Sequence, residues 1–158
     1  MNFKKIIPIL SLPLFLVSCS KGLIRYGVNP YIEIETVEKG ELIDYEPSKI
    51  KEKIDNKDSF VLFLHKDGCG ACAYSLEKYI NPFLETHNII IYGINLTNIY
   101  SNETELNIYT EITEPFNNTD KEGNRYVPHM SIFYEGQYVQ GELDMEFYTL
   151  LIESYIIL

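Results

Sequence analysis

Cys69 and Cys72 are separated by Gly70 and Ala71. They lie between an apolar run, Phe60-Val61-Leu62-Phe63-Leu64, and a stretch with helical spacing that begins near Ala71. A thiol at the first turn of a helix faces unpaired backbone N–H groups and the positive end of the helix dipole. Both favour the thiolate, which is the nucleophilic form of cysteine. Two intervening residues put the second sulfur one turn further on, close enough to form and release a disulfide. Cys69, at the start of the turn, is then the exposed nucleophile, and Cys72, inside the helix, the thiol that resolves a mixed disulfide. The same pair also fits a static disulfide or half of a structural zinc site. A closed zinc site needs four ligands, and no second Cys-x-x-Cys exists.

The flanking sequence predicts the elements that must hold these thiols. Phe60 to Leu64 is continuously apolar, the pattern of a strand buried on both faces and so of a central position. Ala73, Leu76, Ile80 and Leu84 follow helical spacing, with a kink expected at Pro82. Ile89 to Ile94 reads as a second central strand. Upstream, Tyr31 to Val37 alternates like a half-buried strand, Leu42 to Tyr45 is a short strand, and Pro47-Ser48 opens a helix carrying Ile50 and Ile54. Downstream, a helix is expected over 102–116 and a polar loop over 117–124. Glu135-Gly136 then joins two strands, 130–134 and 137–140, as a hairpin. Leu143, Phe147, Leu150, Leu151, Ser154 and Tyr155 suggest a closing amphipathic helix. Such alternation implies an α/β fold, a central mixed sheet with helices on both faces. Phe63, Phe83, Phe133 and Phe147 are assigned to its core.

The 158 residues carry 23 acidic and 13 basic side chains, a formal charge of −10. Without a basic cluster the chain lacks what phosphate neutralisation requires, so nucleic acid is excluded as a partner. Three cysteines are too few for a disulfide scaffold. The N-terminus supplies a use for the odd one. Lys4 and Lys5 precede the apolar run Ile6 to Val17, which contains Pro8 and Pro13 and closes on Ser18-Cys19. The run is well short of the roughly 20 residues that span a bilayer, and it reads as the apolar region of a secretory signal peptide.

Leu16-Val17-Ser18-Cys19 resembles the lipobox of bacterial lipoproteins. The resemblance implies a diacylglyceryl thioether on Cys19, cleavage just before it, and a mature chain anchored to the cell membrane outside the cytoplasm. Two fatty chains give stable anchoring, each buried CH₂ contributing about 0.8 kcal/mol. The chain would divide into a lipoprotein signal peptide (1–18), a tether with its leading strand (19–40) and one domain (41–158). Loss of Lys4 and Lys5 takes the charge from −10 to −12.

Over about residues 41–158 the sequence resembles the thioredoxin-like family. The strand-Cys-x-x-Cys-helix unit carries this resemblance, together with Val127-Pro128 ahead of the hairpin. It implies a cis-proline at Pro128 facing the active-site disulfide, with backbone groups of Val127 pairing with an extended substrate segment. The implied activity is thiol–disulfide exchange with protein thiols and disulfides. It needs no cofactor beyond a redox-active Cys69–Cys72 disulfide and no metal; the electron partner is not implied.

The departures point to an exported specialist rather than a general cytoplasmic thioredoxin. Gly70-Ala71 stands where thioredoxins have Gly-Pro, and Asp67-Gly68 where they have tryptophan beside the motif. Phe63 replaces the buried acid that assists proton transfer to the resolving cysteine, so that step needs another route. His129 replaces a frequent threonine. Two histidines are candidate modulators. His65 either steers the thiolate or caps the end of its strand. His129, by the resemblance, lies near the sulfurs, where Cys69, Cys72 and His129 could hold copper or zinc. A metal-binding lipoprotein and a non-catalytic transporter-accessory or surface lipoprotein are therefore the competing functions.

Overall fold

The computed structural model describes residues 32–116, 118–119 and 125–156. The signal segment, Cys19 and Tyr31 lie outside the described residues. The elements in chain order are β1 (Glu41–Asp44), α1 (Pro47–Asp55), β2 (Phe60–His65), α2 (Gly70–Ser75), α3 (Asn81–Thr86), β3 (Ile90–Asn95), α4 (Glu103–Thr113), β4 (His129–Tyr134), β5 (Gln137–Glu142) and α5 (Tyr148–Tyr155). The strands form one five-stranded sheet in the order β1-β3-β2-β4-β5. β3 pairs in parallel with both β1 and β2, while β4 runs antiparallel to β2 and to β5. This is the expected mixed sheet with helices on both faces.

Strand alternation divides the core in two. Val61, Phe63, Ile91, Met130 and Ile132 point to the side covered by α2, α3 and α5, where they meet Ile80, Phe83, Leu84 and Ile152. Phe60, Leu62, Leu64, Tyr92 and Ile94 point to the opposite side, where they meet Ile50, Tyr109 and Ile112 of α1 and α4. Every residue of β2 is buried, as its unbroken apolar run predicts for the central strand.

α2 passes through a π-helical segment, Leu76–Ile80, directly into α3. There the Asn81 N–H reaches back to the Leu76 carbonyl, five residues away. The wider turn comes one residue before Pro82, which lacks an N–H and whose ring crowds the carbonyl four residues earlier. The expected kink is thus a local π bulge, and the helix continues. In the hairpin, Glu135 (φ 48°) and Gly136 (φ 75°) both take positive φ, as a two-residue turn between twisted strands requires.

Two expectations need correction. Residues 32–37 build no ladder strand; they make isolated bridges, Ile32 to Ile156 and Thr36 to Ile89. Their alternation is real. Ile32 and Ile34 pack into the α5 side, and Val37 and the Glu35 carboxylate, which accepts from Tyr92 Oη, turn to the other. β1 already occupies the sheet edge beside β3, so this segment crosses the end of the sheet. Phe147 is not core: it is 48% exposed, as are Leu143 and Leu150 at 40% and 52%. The buried stripe of α5 is Tyr148, Leu151 and Ile152. Leu150, Leu151 and Ile152 are consecutive and apolar, so periodicity alone leaves the helix's phase open.

Candidate active site

The end of β2 delivers the chain into the turn Lys66-Asp67-Gly68, which starts α2. Gly68 adopts φ 71°, and the Cys69 N–H donates to the Lys66 carbonyl at 3.3 Å. The Asp67 N–H donates to Thr97 Oγ1 at 2.8 Å, and Asn95 Nδ2 donates to Asp67 Oδ1 at 2.8 Å. The loop before the cysteines is thereby fastened to the loop after β3. Asp67 is the anchor of this loop.

Cys69 is the N-cap of α2: its backbone is extended and its Sγ accepts from the Cys72 N–H at 3.1 Å. A donor at that place would support negative charge on this sulfur once the disulfide is reduced. Cys69 and Cys72 are joined in a disulfide, with Cα atoms 5.2 Å apart. Cys69 is part-exposed and Cys72 is buried. The Val127–Pro128 bond is cis. Register pairs His129 with Leu64, so Pro128 sits one step beyond that pair, at the end of the sheet from which β2 leads to Cys69.

The two candidate histidines separate by strand parity. His129 pairs with Leu64, whose side chain faces α1 and α4, whereas the cysteine helix covers the other face. Its ring lies 5.1 Å from that of Phe116 and against Tyr138 and Gly141. It is 3% exposed, and neither ring nitrogen has a hydrogen-bond partner among the described residues. Burial, with a smaller contribution from the nearby Arg125 cation, pushes its pKa down to about 4. The expectation that His129 lies beside the sulfurs is therefore corrected, and with it the Cys69, Cys72, His129 metal triad. Among the described residues no three His, Cys, Asp or Glu side chains are grouped to hold a metal.

His65 falls on the opposite parity, with Phe63 and the cysteine helix. Its ring stacks on Phe63, with centroids 5.5 Å apart and planes 12° from parallel. Its Nε2 hydrogen-bonds the Asp44 carboxylate at 2.7 Å. β1 and β2 are not neighbours in the sheet, because β3 lies between them. The bond forms over Gly93, the register partner of both Asp44 and Phe63. A Cβ at Gly93 would stand 2.0 Å from Asp44 Oδ1 and 3.3 Å from His65 Nε2. Asp44, His65, Asp67, Cys69 and Cys72 all line one open pocket of about 440 Å³. Sequence reading missed Asp44 and Gly93. An aspartate ending a short strand and a glycine inside an apolar one carry no sign that they belong together.

No protein-family model matches the chain, and no curated protein sequence matches it. Solved structures do resemble it. Thioredoxin f2 of Chlamydomonas reinhardtii superposes with a TM-score of 0.51 at 12% identity, over 72% of this chain and 94% of its own. The thioredoxin NaTrxh of Nicotiana alata gives 0.51 at 10% identity, over 78% and 99%. The oxidised thioredoxin of Plasmodium falciparum gives 0.51 at 15%, over 74% and 100%. The fold is that of the thioredoxins.

Proposed function

We propose that this chain is a thiol–disulfide oxidoreductase that exchanges disulfides with proteins outside the cytoplasm, held to the cell membrane through lipid on Cys19. One observation carries the chemistry: a disulfide whose part-exposed sulfur, Cys69, caps a helix while its partner, Cys72, is buried. In the reducing direction the Cys69 thiolate attacks a substrate disulfide, forming a mixed disulfide and releasing one substrate thiolate, which takes up a proton. Cys72 loses its proton and attacks the Cys69 sulfur. The Cys69–Cys72 disulfide forms and the second substrate thiol leaves, so two electrons have passed to the substrate. The oxidising direction is the same sequence reversed. Backbone groups of Val127, fixed by the cis Pro128, pair with an extended substrate segment beside the sulfurs. The thioredoxin-like fold supports this reading, and the order of Lys4, Lys5, the apolar run and Cys19 supports export and anchoring.

Cys72→Ser removes the resolving thiol, so intermediates should accumulate. In cells this variant is expected to carry protein adducts that run as high-mass species on non-reducing gels and collapse with reductant. A Cys69→Ser, Cys72→Ser chain should carry none. Absence of adducts from Cys72→Ser under both oxidising and reducing growth would overturn the activity. The anchor is tested separately. Cys19→Ser is expected to move the protein from the membrane fraction to the soluble extracytoplasmic fraction, and its retention in membranes would refute lipid attachment at Cys19.

A further inference from the structure

The resolving step requires Cys72, a buried thiol, to give up a proton, and the side chain at position 63 is a phenylalanine that cannot accept one. We infer that His65, held by Asp44 across Gly93, is the base that takes this proton and returns it in the reverse reaction. The inference rests on the oxidoreductase reading and deepens it.

Three strands assemble the pair. Parity puts Asp44, Gly93 and His65 on the face covered by the cysteine helix, and the missing side chain at Gly93 opens the passage over β3. Phe63 forms the floor under the imidazole. With Nε2–H donating to the Asp44 carboxylate, Nδ1 is the nitrogen that keeps a lone pair. His65 is 7% exposed and shares the pocket with both cysteines. That pocket of about 440 Å³ has room for water, at roughly 30 Å³ each, to carry a proton between thiol and ring. The titratable and charged groups that line the pocket with His65 are Asp44 from β1, Lys66 and Asp67 from the turn, and Cys69 and Cys72 from the helix, of which Asp44 touches the ring. From β3 come Gly93 and Asn95, which carry no charge.

The step balances simply. The Cys72 S–H proton passes to His65 Nδ1, and the Cys72 thiolate attacks the Cys69 sulfur of the mixed disulfide. The Cys69–substrate S–S bond breaks, and the leaving substrate thiolate takes up a proton. Asp44 stabilises the imidazolium in between and acts as a positioning residue.

The test separates the two exchange steps. The full chain carrying Cys19→Ser, so that Cys69 and Cys72 are its only thiols, is reduced and mixed with dithiobis(nitrobenzoate) in a stopped-flow instrument. Attack by Cys69 releases the first nitrothiobenzoate at a rate that depends on reagent concentration. Resolution by Cys72 releases the second at a rate that does not. His65→Gln is expected to slow the second release at neutral pH by roughly 10²-fold. The pH profile of this phase should change as well, because ionisation of the thiol without a base is then its only source of thiolate. Asp44→Asn, nearly isosteric on a half-exposed side chain, is expected to slow it about tenfold by loosening the hold on the ring. Gly93→Ala should act in the same direction by pushing the Asp44 carboxylate away. A His65→Gln second phase within about twofold of the parent, with the same pH profile, overturns the inference and leaves the oxidoreductase reading standing. A parent protein that gives no second release overturns both.

Discussion

Cys69→Ser is expected to lower the rate of exchange with a disulfide to below about a thousandth of wild type, whereas Cys72→Ser still gives the first exchange at near its normal rate. The two sulfurs differ in place. Cys69 is part-exposed at the N-cap and accepts the Cys72 N–H, so charge on it is supported before substrate arrives. Cys72 is 1% exposed, so an incoming disulfide cannot reach it directly. A serine hydroxyl at position 69 keeps the cap but does not attack sulfur at neutral pH. Nitrothiobenzoate release by each single variant measures the asymmetry. Equal first-phase rates in the two variants would mean that the nucleophile has been assigned to the wrong cysteine.

His129→Leu is expected to stabilise the protein, and to do so most in mild acid. The native ring is 3% exposed, and neither nitrogen has a partner among the described residues. Leaving a buried polar group unsatisfied costs about 1–3 kcal/mol, which an apolar side chain of similar volume avoids. Titration adds to this. The folded pKa is pushed down to about 4, against about 6.5 for an unfolded histidine. Above pH 6.5 both states are neutral and the group adds no slope. As pH falls from there, the unfolded chain binds a proton that the folded chain does not, so stability drains until the folded group also titrates near pH 4. The shift corresponds to about 3 kcal/mol across that window. Urea unfolding at pH 7 and pH 4.5 should show wild type losing more stability than His129→Leu. Parallel losses would show that the buried ring does not titrate in this way.

Much of the fold was legible because its signals are local. The apolar run of β2, the Glu135-Gly136 hairpin and the Cys-x-x-Cys at a strand-to-helix junction each depend on a few adjacent residues. The phase of α5 was not legible. Tyr148-Thr149-Leu150-Leu151-Ile152 offers apolar groups on nearly every side, and packing against the sheet selects Tyr148, Leu151 and Ile152. Residues 32–37 kept the alternation of a strand and lost the pairing, since β1 had taken the neighbouring edge.

The sequence by itself determined the chemistry at the centre of this protein. Two cysteines one helical turn apart, at the start of a helix that follows a buried strand, are placed to form a disulfide, and they do. Only the tertiary structure decided what surrounds that pair. Strand parity turned His129 into the α1 and α4 side of the core and His65 toward the disulfide, although both had been candidates for the same role. Sheet order set β3 between β1 and β2, and the glycine at position 93 let an aspartate and a histidine meet across it. Contacts among three strands depend on which strands pair and in what register, and those are settled by burying both faces of the sheet at once.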